Sequence, residues 1–452
     1  SEMEEEHHVY KGRIVFQGNN AKDQDGRAAK FQEMSSAPAS MEAGKVGDAY
    51  GLVDGNATQQ ADAQQAYIQC DLGGDETWVE LPKDLQPADW SRFRDPVCIL
   101  RKSLYGHPDS GGYWEKHCES RLLEAGFIPI DSWRSCFWHK RLKLYLTVYV
   151  DDFKMSGPKG NLDEGWALIR GLHPDTEGRG ILTDDPKPSH RYLGCYHNVD
   201  KNCIEYEVKD FMKECCNKYC ALAGASTTEL VLSKTPFLDE STLEEGDHLN
   251  PGELNEEASS ILMKILYGAR MARYDLLRAT CALASKITKW TRACDKQLYK
   301  LVCYIHSTLD YVLKGTVGDP MDKLSLKLFA DADFAGCEST SRSTSGVFLC
   351  LVGPNTFMPL AAISKKQTCV SHSTPEAELV AIDLALRAEG LPALDIWEVL
   401  LGRPVKLAFQ EDNQAAIVVL QSGYSTALRH MGRTHKVCLK WLHERVANKD
   451  ID

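Results

Sequence analysis

The 452-residue chain has no long uncharged apolar run, so no part of it reads as a membrane span. It also lacks low-complexity tracts, and 43% hydrophobic with 26% charged residues is the composition of an ordinary globular protein. Sixteen cysteines are present, yet they show no paired spacing and no zinc-knuckle pattern. A disulfide scaffold is therefore not expected, and a reducing, intracellular setting is. Positive charge is short: 52 Lys and Arg against 64 Asp and Glu leave a net charge of −12. Nucleic-acid binding draws on Lys and Arg for counterion release, so it would rest on local stripes such as Arg134 to Lys143 or Arg429 to Lys440. The start, Ser1-Glu2-Met3-Glu4-Glu5-Glu6, lacks the apolar core of a signal peptide and looks like the edge of an excised piece. The length allows roughly two to four compact units.

What is present starts with Tyr149-Val150-Asp151-Asp152, which follows the apolar run Leu144 to Val148. β-branched and aromatic residues make that run a buried strand, and Gly157-Pro158 stops the next one. The pattern predicts a β-hairpin with both aspartates at its turn. Adjacent carboxylates repel, so the turn is either solvated or built for a divalent cation. Two-metal phosphoryl chemistry needs a further acid from another strand. Asp62, opening the segment that becomes aromatic at Tyr67, is the candidate.

With these residues the chain resembles a reverse transcriptase, and over nearly its whole length it resembles the copia class of retrotransposon polymerases. Asp62, Asp151 and Asp152 match the palm acids, and Tyr67 matches the aromatic gate under the incoming sugar. Lys11 to Val15 looks like the fingers strand, with Lys11 and Arg13 facing the triphosphate. Ser35-Ser36-Ala37-Pro38 echoes a family turn, and Trp78 to Pro82 and Val97 to Gly106 echo two family blocks. Arg191-Tyr192-Leu193-Gly194 resembles the hairpin that grips the primer end, through Tyr192 and Gly194. Two departures stand out. Gln17 replaces a basic residue, and Asp109 falls where a nucleotide-contacting glutamine is usual. From Thr227 to Gly318 the chain turns acidic and then helical, the expected thumb and connection. Upstream, Cys215, Cys216 and Cys220 lie on one amphipathic stretch, where small buried hydrophobes are favoured over zinc ligands.

From Leu324 the texture becomes strand-like and ends in Asp331-Ala332-Asp333. Ser373 or Thr374 caps a helix carrying Glu378, and Val405 to Phe409 is a strand ending near Asp412. This resembles the family's RNase H, with Asp331, Glu378 and Asp412 as acids. A fourth family aspartate falls on Cys438, a poor Mg²⁺ ligand; His443 or Glu444 are possible substitutes. His435, Cys438 and His443 admit a zinc reading as well, below that of plain helix residues.

The resemblance implies an α+β right-hand polymerase over 1–225, with fingers and a ferredoxin-like palm. A helical thumb and connection over 226–322 and an α/β RNase H-like unit over 323–452 complete the expectation. It implies two Mg²⁺ per active site, with Mn²⁺ as substitute. The implied partners are an RNA template, a DNA primer, an RNA–DNA hybrid and dNTPs, with no membrane. The setting would be cytoplasmic, in a virus-like particle, or nuclear. The competing reading is a decayed or co-opted copy that keeps the fold as a binding or structural module.

Overall fold

The computed structural model describes residues 14–29, 37–337 and 340–451. Lys11, Arg13 and the Ser35-Ser36 part of the family turn lie outside them. Ile14 and Val15 are described and are not part of a strand.

The N-terminal half is built on a six-stranded antiparallel sheet. Its spatial order is Ile128–Ile130, Trp133–His139, Leu144–Tyr149, Asp152–Pro158, Asn56–Asp62 and Lys187–Pro188. The last four of these strands, with the helices Ser110–Glu124 and Lys159–Ile169, form a β-α-β-β-α-β unit of ferredoxin-like type. Strand alternation sorts the side chains. Leu144, Leu146, Val148, Phe153 and Met155 meet Trp114, Leu122 and Trp166 of those two helices in one core. The opposite face, with Tyr145, Lys154 and Ser156, is covered by the helix Met41–Gly51. Ser40 caps that helix by accepting a 3.1 Å hydrogen bond from Ala43 N.

The strand Asn56–Asp62 is not visible in its sequence, Asn-Ala-Thr-Gln-Gln-Ala-Asp. Its glutamines are held by tertiary partners: Trp166 Nε1 donates to Gln59 Oε1 at 2.9 Å, and Gln60 Nε2 donates to Arg191 O at 2.8 Å. Asp62 therefore closes a strand rather than opening a segment. Further along, Trp78–Val79 pairs with Cys98–Ile99, joining the two family-like blocks.

The middle is helical as expected, with Ala258–Ala272, Leu277–Ala284 and Arg292–Ser307 packed on one another and on Lys209–Ala223. Cys215, Cys216 and Cys220 are buried free thiols in that packing. One element departs from the helical expectation: Leu313–Thr316 is a strand. It pairs with Cys203–Glu207 on one side and meets Phe357 through Thr316 on the other. A Cβ on Gly315 would lie 2.1 Å from Met358 Sδ, so a larger residue there would force the Met358 side chain to shift. The result is an eight-stranded sheet running from Arg191–Tyr192 through Leu313–Thr316 to Leu407–Gln410.

Beyond that junction lies an antiparallel meander of Ser325–Asp333, Thr344–Gly353 and Thr356–Lys366. The helix Thr374–Ala385 covers it, and Leu407–Gln410 returns parallel to Ser325–Asp333. Trp133 Nε1 donates to Pro392 O at 2.7 Å, tying the first sheet to the C-terminal helices. Among the described residues, no helix is long and apolar enough to cross a membrane.

Candidate functional site

Asp62 pairs directly with Asp152 across the antiparallel ladder, and the hairpin turn Val150-Asp151 closes beside them. Asp62 is exposed and the other two aspartates are half-buried. Like charges directly opposed in a ladder are destabilising without a counter-charge. Burial first, then the charges of Asp62 and Asp151, push the Asp152 carboxyl up to about 7. Such a donor set suits a hard divalent cation. The turn itself is pinned: Trp114 Nε1 donates to Val150 O at 2.7 Å, and Ala63 N donates to Asp151 O at 2.7 Å.

Tyr67 stands on the short turn Ala66–Gln69, its ring 4.6 Å from that of Tyr105. Burial and then the Asp151 charge raise its hydroxyl pKa. A cavity of about 510 Å³ opens here, walled in part by Tyr67, Trp114, Val148 and Val150. Asp109 stands at the N-terminal end of the helix Ser110–Glu124, where the helix dipole favours a carboxylate.

The Tyr192-Leu193-Gly194-Cys195 hairpin forms, with Leu193 and Gly194 both at positive φ and Tyr267 Oη donating to Leu193 O at 2.7 Å. Gly194 is exposed at the tip. Tyr192 corrects its expectation. Only 5% exposed, it packs inward with Lys154 Nζ 4.6 Å over its ring, so its side chain is not presented to a primer.

Beneath the acids lies a charge network that sequence reasoning missed. Lys154, two residues past Asp152, is buried with its Nζ 2.5 Å from Asp48 Oδ1. His197 Nδ1 lies 3.5 Å from Asp48 Oδ2, which also accepts a 3.0 Å hydrogen bond from Tyr206 Oη. Burial alone would raise the Asp48 pKa, but Lys154 and His197 hold it well below the usual carboxylate range. Burial lowers the Lys154 and His197 pKa values. This network ties the acid-bearing strand to the Met41–Gly51 helix and the 195–207 hairpin. The visible signal was Lys154 itself, a lysine inside an otherwise apolar strand.

The second site is more convergent. Phe329 pairs with Gln410 in the parallel ladder, so continuing that register by two residues sets Asp331 opposite Asp412. Glu378 comes from the helix Thr374–Ala385, whose N-cap Ser373 accepts from Glu376 N at 3.4 Å. One oxygen from each of Asp331, Glu378 and Asp412 lies within 4.8 Å of the others. Among the described residues no other His, Cys, Asp and Glu group of three or more does so. Glu378 is 3% exposed, and its Oε2 has no hydrogen-bond partner. Burial first, then Glu411, Asp331 and Asp412, push it up to about 7. A buried carboxylate oxygen without a donor fits a cation ligand.

Nearby, Glu376 Oε1 lies 2.7 Å from His435 Nε2 and 3.0 Å from His430 Nε2. His443 Nδ1 lies 3.0 Å from Leu420 O, and Cys438 is exposed. The three zinc candidates thus have separate surroundings, and His435 serves to lock the C-terminal segment onto the Glu376 helix. Asp333 is likewise accounted for, 2.6 Å from Arg278 Nη2.

Known proteins resemble this chain over much of its length. The chain is 25% identical over 324 residues to the Retrovirus-related Pol polyprotein from transposon RE1 of Arabidopsis thaliana, covering 71% of this chain and 20% of that one. It is 26% identical over 340 residues to the corresponding TNT 1-94 polyprotein of Nicotiana tabacum, covering 72% and 23%. With the Ty1-BR Gag-Pol polyprotein of Saccharomyces cerevisiae it shares 22% over 392 residues, covering 82% and 20%. The chain spans about a fifth of the length of these polyproteins. A solved foamy viral protease-reverse transcriptase in complex with double-stranded DNA aligns with a TM-score of 0.44 at 12% identity, covering 90% of this chain and 58% of that one. Residues 2–227, half of the chain and the part that carries Asp62, Asp151 and Asp152, match the family model for reverse transcriptase (RNA-dependent DNA polymerase), and the chain belongs to that family.

Proposed function

We propose that this chain copies the transcript of a copia-type retrotransposon, using a polymerase over 1–225, a thumb and connection over 226–322 and an RNase H-like nuclease over 323–452. The observation that carries the polymerase is the Asp62–Asp152 pair, face to face across the ladder with Asp151 at the turn. Divalent ions, two Mg²⁺ or Mn²⁺ per centre, would supply Lewis acidity for attack of a primer 3′-hydroxyl and for departure of pyrophosphate. The chain's own part is to hold them. Asp62, Asp151 and Asp152 present acceptor oxygens from two strands and one pinned turn. Tyr67, beside Asp151, excludes a ribose 2′-hydroxyl by its volume. Gly194 offers bare backbone to the primer end, and Tyr192 stiffens that hairpin from within. Lys11 and Arg13 would neutralise the triphosphate.

The nuclease reading rests on Asp331, Glu378 and Asp412, set by a meander, a helix and a returning parallel strand. These acids would hold ions against the RNA strand of a hybrid. A decayed or co-opted copy that keeps the fold as a binding or structural module is the second reading, favoured by Gln17, Asp109, the exposed Cys438 and the −12 charge.

Primer extension on an RNA template with Mg²⁺ and dNTPs separates the two. Extension that disappears in an Asp151→Asn/Asp152→Asn variant is the expected result. Folded protein that binds hybrid without Mg²⁺ or dNTPs, and extends with neither Mg²⁺ nor Mn²⁺, would establish the binding module instead.

A further inference from the structure

Three carboxylates are few for two divalent ions that must share ligands roughly 3.5–4 Å apart. The chain supplies a fourth acid next to Asp412. Glu411 follows directly on the strand Leu407–Gln410, before Asn413 caps the next helix by accepting from Ala415 N and Ala416 N at 3.1 and 3.0 Å. Its Oε1 accepts from Asn413 N at 3.0 Å, which fixes the carboxylate plane. Its Oε2 is buried and has no hydrogen-bond partner. Glu378 Oε2, in the acid cluster that includes Asp412, is in the same condition. Two buried orphan oxygens from two elements are costly unless a cation completes them.

We propose that Glu411 is a ligand of a second divalent cation at the Asp331–Glu378–Asp412 centre, a role that rests on the nuclease reading above. Glu411 stands outside the 4.8 Å cluster of the other three acids and is joined to it through the neighbouring Asp412. Cys438 brings no carboxylate, so the ligand set comes from the 411–412 pair instead.

The test is Mn²⁺ binding to the full chain, followed by electron paramagnetic resonance. Asp151→Asn/Asp152→Asn serves as the parent, to silence the first site. The parent is expected to bind two ions. Adding Glu411→Gln, nearly isosteric, should weaken one of them by more than about 100-fold, beyond the roughly 10–100-fold that outer-shell partners contribute. Adding Asp412→Asn should weaken both. Thermal melting in EDTA checks folding, and Glu411→Gln should melt no lower than its parent because a repelling charge is gone. Unchanged Mn²⁺ binding in Glu411→Gln, with loss in Asp412→Asn, would overturn the Glu411 assignment and leave the nuclease reading standing. Unchanged binding in both would remove the cation centre and both readings with it.

Discussion

Asp62 and Asp152 face each other across an antiparallel ladder, whereas Asp331 and Asp412 stand side by side just past the parallel pairing of Ser325–Asp333 with Leu407–Gln410. The hairpin arrangement leaves its acids flanked by a cavity, and they do not form a compact cluster of three. Parallel register plus one helix brings the second set within 4.8 Å. Their supports differ too. Under the first site lies the buried Asp48–Lys154–His197 network; under the second lie Leu326, Leu328, Ala377, Leu379 and Ile382. An acid pair over buried charge and beside a cavity would admit a bulky triphosphate on the polymerase reading proposed above. A compact acid cluster over hydrocarbon, with Glu378 buried and Asp331 and Asp412 exposed, would suit ions bridging a backbone phosphate on the nuclease reading proposed above.

The strongest way to break this comparison is to disable one site at a time. Asp152→Asn is expected to lower primer extension by about 10³-fold, the size associated with losing preorganised charge stabilisation, and to leave hybrid cleavage unchanged. Glu378→Gln should do the reverse. Extension and cleavage assays on both variants decide it, and joint loss of both activities in either variant would show that the sites are not independent.

Next in size is the contrast between supports. Asp48→Ala strands the buried Lys154 charge and should cost about 3–5 kcal/mol in urea unfolding. Leu328→Ala beneath the second site should cost about 2–5 kcal/mol through a cavity. The sharpening variant is Asp48→Leu/Lys154→Met, which removes both charges. It should recover much of the Asp48→Ala loss, because a buried ion pair replaced by well-packed apolar groups is often neutral. No paired substitution of this kind rescues Leu328→Ala.

A smaller effect follows pH. Asp152, Glu378 and Glu411 each have a folded-state pKa of about 7, against ordinary carboxylate values of about 4. The folded chain therefore holds more protons than the unfolded chain across that window. Their contribution is fully present below about pH 4 and is lost as pH rises through about 7. In EDTA, melting temperature should fall from pH 5 to pH 8, and Asp152→Asn should flatten part of the slope. Mg²⁺ at pH 8 should restore what ionisation removed, since ligand binding to the native state stabilises it.

How much of this was legible depended on where the information lay. The Leu144–Tyr149 strand, the acid hairpin and the Ser373-capped helix announce themselves through local pattern. The strand Asn56–Asp62 does not, because its glutamines become strand-like only through Trp166 and Arg191 O. Leu313–Thr316 is set by distant neighbours, Cys203–Glu207 about a hundred residues earlier and Phe357 about forty later. Tyr192 was legible as part of a hairpin but not as a buried residue, since its inward turn depends on Lys154 and His197. Glu411 was in plain view beside Asp412. Its orphaned oxygen emerges only when strand and helix meet.

The smallest expected effect concerns how each site presents its acids. Val150 has φ of 58°, a left-handed conformation that a β-branched residue rarely adopts. No residue adjacent to Asp331, Glu378 or Asp412 has positive φ. The strained valine is held from both sides of the turn, by Trp114 on its carbonyl and by Ala63 on that of Asp151. Val150→Gly removes the steric penalty, about 1–2 kcal/mol, but adds unfolded-state freedom that offsets about 1 kcal/mol of it. Net stability should therefore change by less than about 1 kcal/mol in urea unfolding. Extension should suffer more than stability, because the freed turn no longer aims Asp151 rigidly. An unchanged extension rate in Val150→Gly would show that the hydrogen bonds from Trp114 and Ala63 suffice to aim the acid. The left-handed valine would then be a tolerated strain with no part in placing Asp151.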